Sequence, residues 1–164
     1  TAVLKVILLD GLAYYPNLIQ PKYKRPVNFI TGTLRMLNAE TKAGQEIWKL
    51  FTLMGQPTFE WPTPDGPPDE SLPWANNLIP RWRFAYNLAR GIFEDTSLDL
   101  AALTGESKSS ADLVDEISLR LLGQPYPGRE KENFLGVFAK ELDDEQIARV
   151  VIAGVIASPV YQFT

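Results

Sequence analysis

Asp65, Asp69 and Glu70 crowd into one proline-rich stretch of this 164-residue chain. Paired carboxylates can serve as acid and base on a glycosidic bond, or as oxygen ligands for a hard cation. The run Asp65-Gly66-Pro67-Pro68-Asp69-Glu70 lacks the alternating oxygen ligands of a calcium loop, and its prolines suit a solvated acidic turn equally well. Lys22, Lys24 and Arg25 lie immediately before Pro26, where a helix is expected to start. A helix N-terminus favours anions and disfavours cations, so this cluster needs compensation. It comes either from an anion or acidic partner held between these cations and the free N–H groups of the helix, or from an internal acid such as Asp10. Trp61, Trp74 and Trp82 supply flat rings of the kind that stack on sugars. Trp82 is expected on a buried helix face, and the competing role for Trp61 and Trp74 is to pack the loop onto the helices. The candidate binding residues are thus Lys22, Lys24, Arg25, Trp61, Asp65, Asp69 and Trp74; no catalytic residue, metal ligand or cofactor is assigned.

Composition explains why no reaction is assigned. With 0 His and 0 Cys there is no imidazole base, thiolate nucleophile, disulfide or His/Cys metal site. Ser97, Thr104, Ser107, Ser109 and Ser110 include no Gly-x-Ser-x-Gly elbow. Lys108 formally allows a Ser–Lys dyad, but serines beside one lysine are also what a polar helix-start loop looks like. Walker and Rossmann signatures are missing. The net charge of -4 argues against nucleic acid as a partner, because that affinity rests on clustered cations. No apolar run approaches the roughly 18 residues needed to span a bilayer, the longest being broken by Arg149 and Gly154.

The elements that must position these residues are helices. Leu4, Ile7, Leu8 and Leu12 recur at helical steps and predict a first helix over 2–14. Pro26 opens a second, with Val27, Ile30, Leu34 and Leu37 on one stripe, and Thr41 is a candidate cap for a third carrying Ile47, Leu50, Phe51 and Met54. From Gln56 to Pro73 six prolines forbid regular structure, and Phe59, Trp61 and Trp74 favour an ordered loop lying on the helices. The next segment places Ala75, Leu78, Ile79, Trp82, Ala85, Tyr86, Ala89, Ile92 and Phe93 on one face, with Phe84 and Leu88 extending it and Arg83, Asn87 and Arg90 left for water, and predicts the most buried helix, beginning or kinking at Pro80. After a turn at 98–104, Ser109 or Ser110 caps a helix ending at Gly123, and two shorter helices follow at 129–141 and 144–157. The expectation is an all-α domain over 1–164, about seven helices with one long Pro-rich loop.

Several short pieces in this order resemble the C-terminal portion of the bacterial domain-of-unknown-function 1800 family. They are Leu4-Lys-Val-Ile-Leu-Leu-Asp10, Tyr23-Lys-Arg-Pro-Val-Asn-Phe29 leading to Leu34-Arg-Met-Leu37, Met54-Gly-Gln-Pro57 with the loop to Trp74, and Ala157-Ser-Pro-Val-Tyr161. The chain has Gly66-Pro67 where the family usually has Gly-Trp. The resemblance implies a longer parent with an upstream half and an export signal, hence a periplasmic or extracellular home. It brings no reaction and no catalytic residues. The chain starts mid-pattern at Thr1, which also reads as a piece of something longer.

Two functions are consistent with these features. The first is a non-enzymatic helical binding or scaffolding module that packs on its own N-terminal half or on another protein, with a polysaccharide as a further candidate partner. The second has Asp65, Asp69, Arg81 and Arg83 contribute to a hydrolase site completed by an absent N-terminal half.

Overall fold

The computed structural model describes residues 2–10, 21–105, 109–137 and 142–163, and among them nine α-helices and one ribbon of two two-residue strands. The helices are α1 (Ala2–Lys5), α2 (Pro26–Met36), α3 (Gln45–Leu53), α4 (Leu72–Ala75), α5 (Leu78–Arg90), α6 (Leu100–Thr104), α7 (Ser110–Leu122), α8 (Gly128–Val137) and α9 (Asp144–Ala157). The mainly helical class follows from the 3.6-residue periodicity, but the count differs from about seven. One-turn pieces such as α4 and α6 are too short to show a period. The antiparallel ribbon Glu40–Thr41/Thr96–Ser97 is likewise too short to show alternation, and it displaces Thr41 from the cap role: Gly44 caps α3. Of the predicted first helix, α1 continues as a π-helical turn over Val6–Asp10, and 11–14 lie outside the described residues.

Most ends are local chemistry. Ser109 Oγ accepts the Asp112 N–H at 3.2 Å, and Asp143 and Gln146 form a reciprocal capping box on α9. Pro80 falls in the first turn of α5, where no intrahelical donor is needed. At α2 no side chain of Arg25 caps the helix; Gln56 Oε1 accepts the Val27 N–H at 3.0 Å instead. That reach depends on Gly55, which adopts φ 86, closes α3 and turns Gln56 back toward α2.

α9 is the centre of the packing. Ala148, Val151, Ile152, Val155 and Ile156 are buried against α5 and α7. The inward face of α5 is Arg81, Phe84, Ala85, Leu88 and Ala89, which keeps Phe84, Ala85, Leu88 and Ala89 of the predicted stripe but rotates Arg81 inward and Trp82 and Tyr86 outward. Trp82, expected inside, is 48% exposed, and Ile79, Tyr86 and Ile92 are exposed with it. Both faces of α5 carry large apolar residues, so periodicity alone cannot choose between them. Phe59 also departs from expectation: it is 95% exposed, with its ring only beside that of Trp48 at 6.4 Å between centres, whereas Trp74 at the end of the loop is buried.

Candidate functional site

The inward turn of Arg81 creates the least ordinary feature of the interior. The side chain is 0% exposed, lying between the rings of Tyr23 and Phe29, with its guanidinium carbon 4.5 and 4.7 Å from their centroids. Nη2 donates to the Lys24 carbonyl at 2.5 Å and Nη1 to Gln162 Oε1 at 3.2 Å. Gln162 Nε2 in turn donates to the carbonyls of Ile156 and Ser158, and the Lys24 N–H donates to the Gln162 carbonyl at 2.7 Å. One arginine therefore ties α5 to the 21–25 connector and to the 3₁₀ turn Val160–Gln162 after α9. Lys24, only 7% exposed, places its ammonium 3.5 Å from the centre of the Tyr161 ring. No carboxylate is bonded to either cation among the described residues, so ring faces and carbonyl oxygens stabilise them instead.

Two buried cations without an acid should perturb each other. Burial, and secondarily the charge of Arg81, pull Lys24 down from 10.5 to about 8; burial pulls Arg81 down to about 10. Between pH 8 and 10 the folded chain has released the Lys24 proton while the unfolded chain still holds it. The unfolded state then binds more protons, so stability rises with pH through that window. Urea denaturation at several pH values should show a rise on the order of 1 kcal/mol per pH unit from 8 to 10. Lys24→Met should abolish the rise and be more stable than the wild type at pH 7. A slope unchanged in Lys24→Met would show that Lys24 does not titrate there. Above pH 10 the buried Tyr161, held up to about 12, works in the opposite direction.

Some of the other residues singled out from the sequence converge on this connector. Arg25 lies 3.5 Å from Asp69, and the Tyr23 N–H donates to Ser71 Oγ at 3.1 Å. Both Arg25 and Asp69 retain solvent exposure, so the pair contributes little energy. Trp74 Nε1 donates to the Pro68 carbonyl at 3.2 Å, and Trp61 lies beside Trp74 with ring centres 6.1 Å apart. These two rings fold the Pro-rich loop on itself. Asp65 stays fully exposed on the loop, its carboxyl held low by the Thr63 side chain and its own backbone. Lys22 is exposed. Of the rival acid–base residues, Arg81 points into the core and Arg83 outward.

The rotation of α5 also opens an apolar groove of about 780 Å³ between α5, α8 and α9. Trp82, Tyr86, Phe134, Leu142, Val150 and Ala153 line it, with Arg90, Asn133, Gln146 and Arg149 at its margin. Trp82 Nε1 donates to the Ala157 carbonyl at 3.2 Å at one end, and Arg149 Nη1 to the Ala89 carbonyl at 2.6 Å at the other. These two clasps fix α5 and α9 antiparallel. Arg149 also donates from Nε and Nη2 to Glu145 Oε1, which holds its guanidinium at the rim. Gly154 matters for shape, because a Cβ there would overlap the Phe134 ring that walls the groove. Of these residues the sequence singles out only Trp82, as a flat ring expected on a buried face, although large apolar side chains on both faces of α5 are the signal that one face needs a second cover.

The described residues form a mainly helical domain with an apolar groove, and among them no group of three or more His, Cys, Asp or Glu side chains could hold a metal ion. The chain belongs to the DUF1800 family, described as proteins of unknown function, whose model matches residues 1–163. No curated protein and no solved structure matches it. Among the described residues no helix is long and apolar enough to cross a membrane.

Proposed function

We propose that this domain is a non-enzymatic docking module whose α5–α8–α9 groove receives an apolar helical segment of a polypeptide. The groove itself carries the reading. Its lining is aromatic and aliphatic, and the polar groups at its two ends, Trp82 Nε1 and the Arg149 guanidinium, already have partners. An occupant therefore needs apolar side chains at helical spacing rather than matching hydrogen bonds. Contiguous exposed apolar surface of this kind is what interaction sites leave when unfilled.

The test is selection of displayed random peptides on the folded chain. Binders are expected to share apolar residues three and four apart. Ala153→Arg, which fills the groove with a charge, should weaken them by at least about tenfold, or about 1.4 kcal/mol, while Asp69→Ala leaves them unchanged. Binders lacking that spacing, or indifferent to Ala153→Arg, would sink the proposal. Binding of soluble oligosaccharides lost in Trp61→Ala would favour a polysaccharide partner instead. Hydrolysis by the parent protein abolished by Asp69→Ala without unfolding would favour the enzyme.

A further inference from the structure

The chain exposes a second apolar element that fits the groove. In α1 and the π-helical turn after it, Val3, Leu4, Val6, Ile7 and Leu9 are all 57–70% exposed, and α1 buries no residue. Large aliphatic side chains gain roughly 1.5–3 kcal/mol each on full burial, so this segment is a strong unmet demand for cover. Resting on the docking reading above, we infer that the occupant of the α5–α8–α9 groove is the Ala2–Asp10 segment of a second copy of the chain, exchanged reciprocally in a dimer.

Three observations support this occupant. The first is length. The groove floor lies between the Trp82–Ala157 and Ala89–Arg149 clasps, seven or eight helical residues apart, or about 10–12 Å. Val3–Leu9 spans about 9 Å at the same rise, so its apolar residues fit between the clasps. Chemistry is the second. The segment's described side chains are aliphatic apart from Lys5, which matches the aromatic and aliphatic lining of the groove. The third is the state of the single chain, which leaves both the helix and the groove uncovered. One exchange covers the helix of each copy and the groove of the other. Reciprocal exchange forms two such contacts rather than one, which doubles the buried area toward the roughly 1,200–2,000 Å² of a stable interface.

Sedimentation velocity of the full chain should show a dimer. Leu4→Asp/Ile7→Asp, which alters exposed residues, and Ala153→Arg, which blocks the groove, should each give a monomer with an unchanged helical circular dichroism spectrum. The dimer dissociation constant should rise at least about 100-fold in each. Mixing the two variants should restore a heterodimer, because the first keeps an intact groove and the second an intact helix. A monomeric wild type, or a dimer that survives Leu4→Asp/Ile7→Asp, overturns the exchange. So does a monomer in which amide exchange protection over 2–10 depends on Ala153, since that places the segment in its own groove. If the exchange fails while displayed peptides still lose binding to Ala153→Arg, only this occupant is wrong. If those peptides ignore Ala153→Arg, the docking reading fails with it.

Discussion

Arg81→Ala is expected to lower the unfolding free energy by about 3 kcal/mol, among the largest losses available from one side chain in this domain. Truncation leaves the Lys24 carbonyl and Gln162 Oε1 without their donors, at about 1–3 kcal/mol for each buried orphan. It also opens a cavity between the Tyr23 and Phe29 rings. Against this stands relief: Arg81 is itself a desolvated charge that repels Lys24. The relief keeps the net well below the sum of the losses. Arg81→Met separates the parts, since it fills the space between the rings but donates to nothing, and should cost about 1–2 kcal/mol. With the neighbouring charge removed in either variant, Lys24 should titrate above pH 8, and the rise of stability with pH should begin later. Chemical denaturation from pH 7 to 10 measures both. If Arg81→Ala is no worse than Arg81→Met, the arginine is not the clamp described here.

The second large effect contrasts two residues of α9, two positions apart in sequence. Ile152 is fully buried among α5 and α7, and Ile152→Ala should cost about 2–4 kcal/mol through lost transfer energy and the residual cavity. Two positions earlier, Val150 faces the groove and is partly exposed. Val150→Ala should cost less than about 0.5 kcal/mol, yet weaken a groove ligand, because it removes contact area from the lining. Thermal unfolding of the two variants reads the first effect and peptide titration the second. Equal costs at 150 and 152 would mean that α9 is rotated from the orientation described. Gly154→Ala sits between these cases. It gains helix propensity but forces the Phe134 ring aside, so ligand affinity should suffer more than stability.

The amino-acid sequence by itself determines the helical class and many of the boundaries. Caps at Ser109 and Asp143 and the left-handed stops at Gly91 and Gly123 are set by residues within a few positions of each other. Short-range chemistry of that kind is readable in a linear chain. Even so, the short α4 and α6 and the 40–41/96–97 ribbon escape notice, because two to five residues do not establish a period. The Pro-rich loop is recognisable from its prolines, but not that Trp74 is buried while Phe59 is left in water.

Only the tertiary structure decided which face of α5 points inward, and both candidate features follow from that choice. Arg81 reaches Lys24 across 57 residues and Gln162 across 81; Trp82 meets Ala157 across 75. Helix α5 carries large apolar side chains, Trp82 and Tyr86, outside its buried stripe as well as Phe84 and Leu88 within it, so its periodicity alone does not fix the rotation, and the partners that settle the matter lie on distant elements. One rotation buries a cation between two aromatic rings and exposes a tryptophan. It prevails because Arg81 finds two carbonyl-type oxygens and two ring faces in the interior, while Trp82 keeps a hydrogen bond at the surface and lines a groove that a second polypeptide can cover.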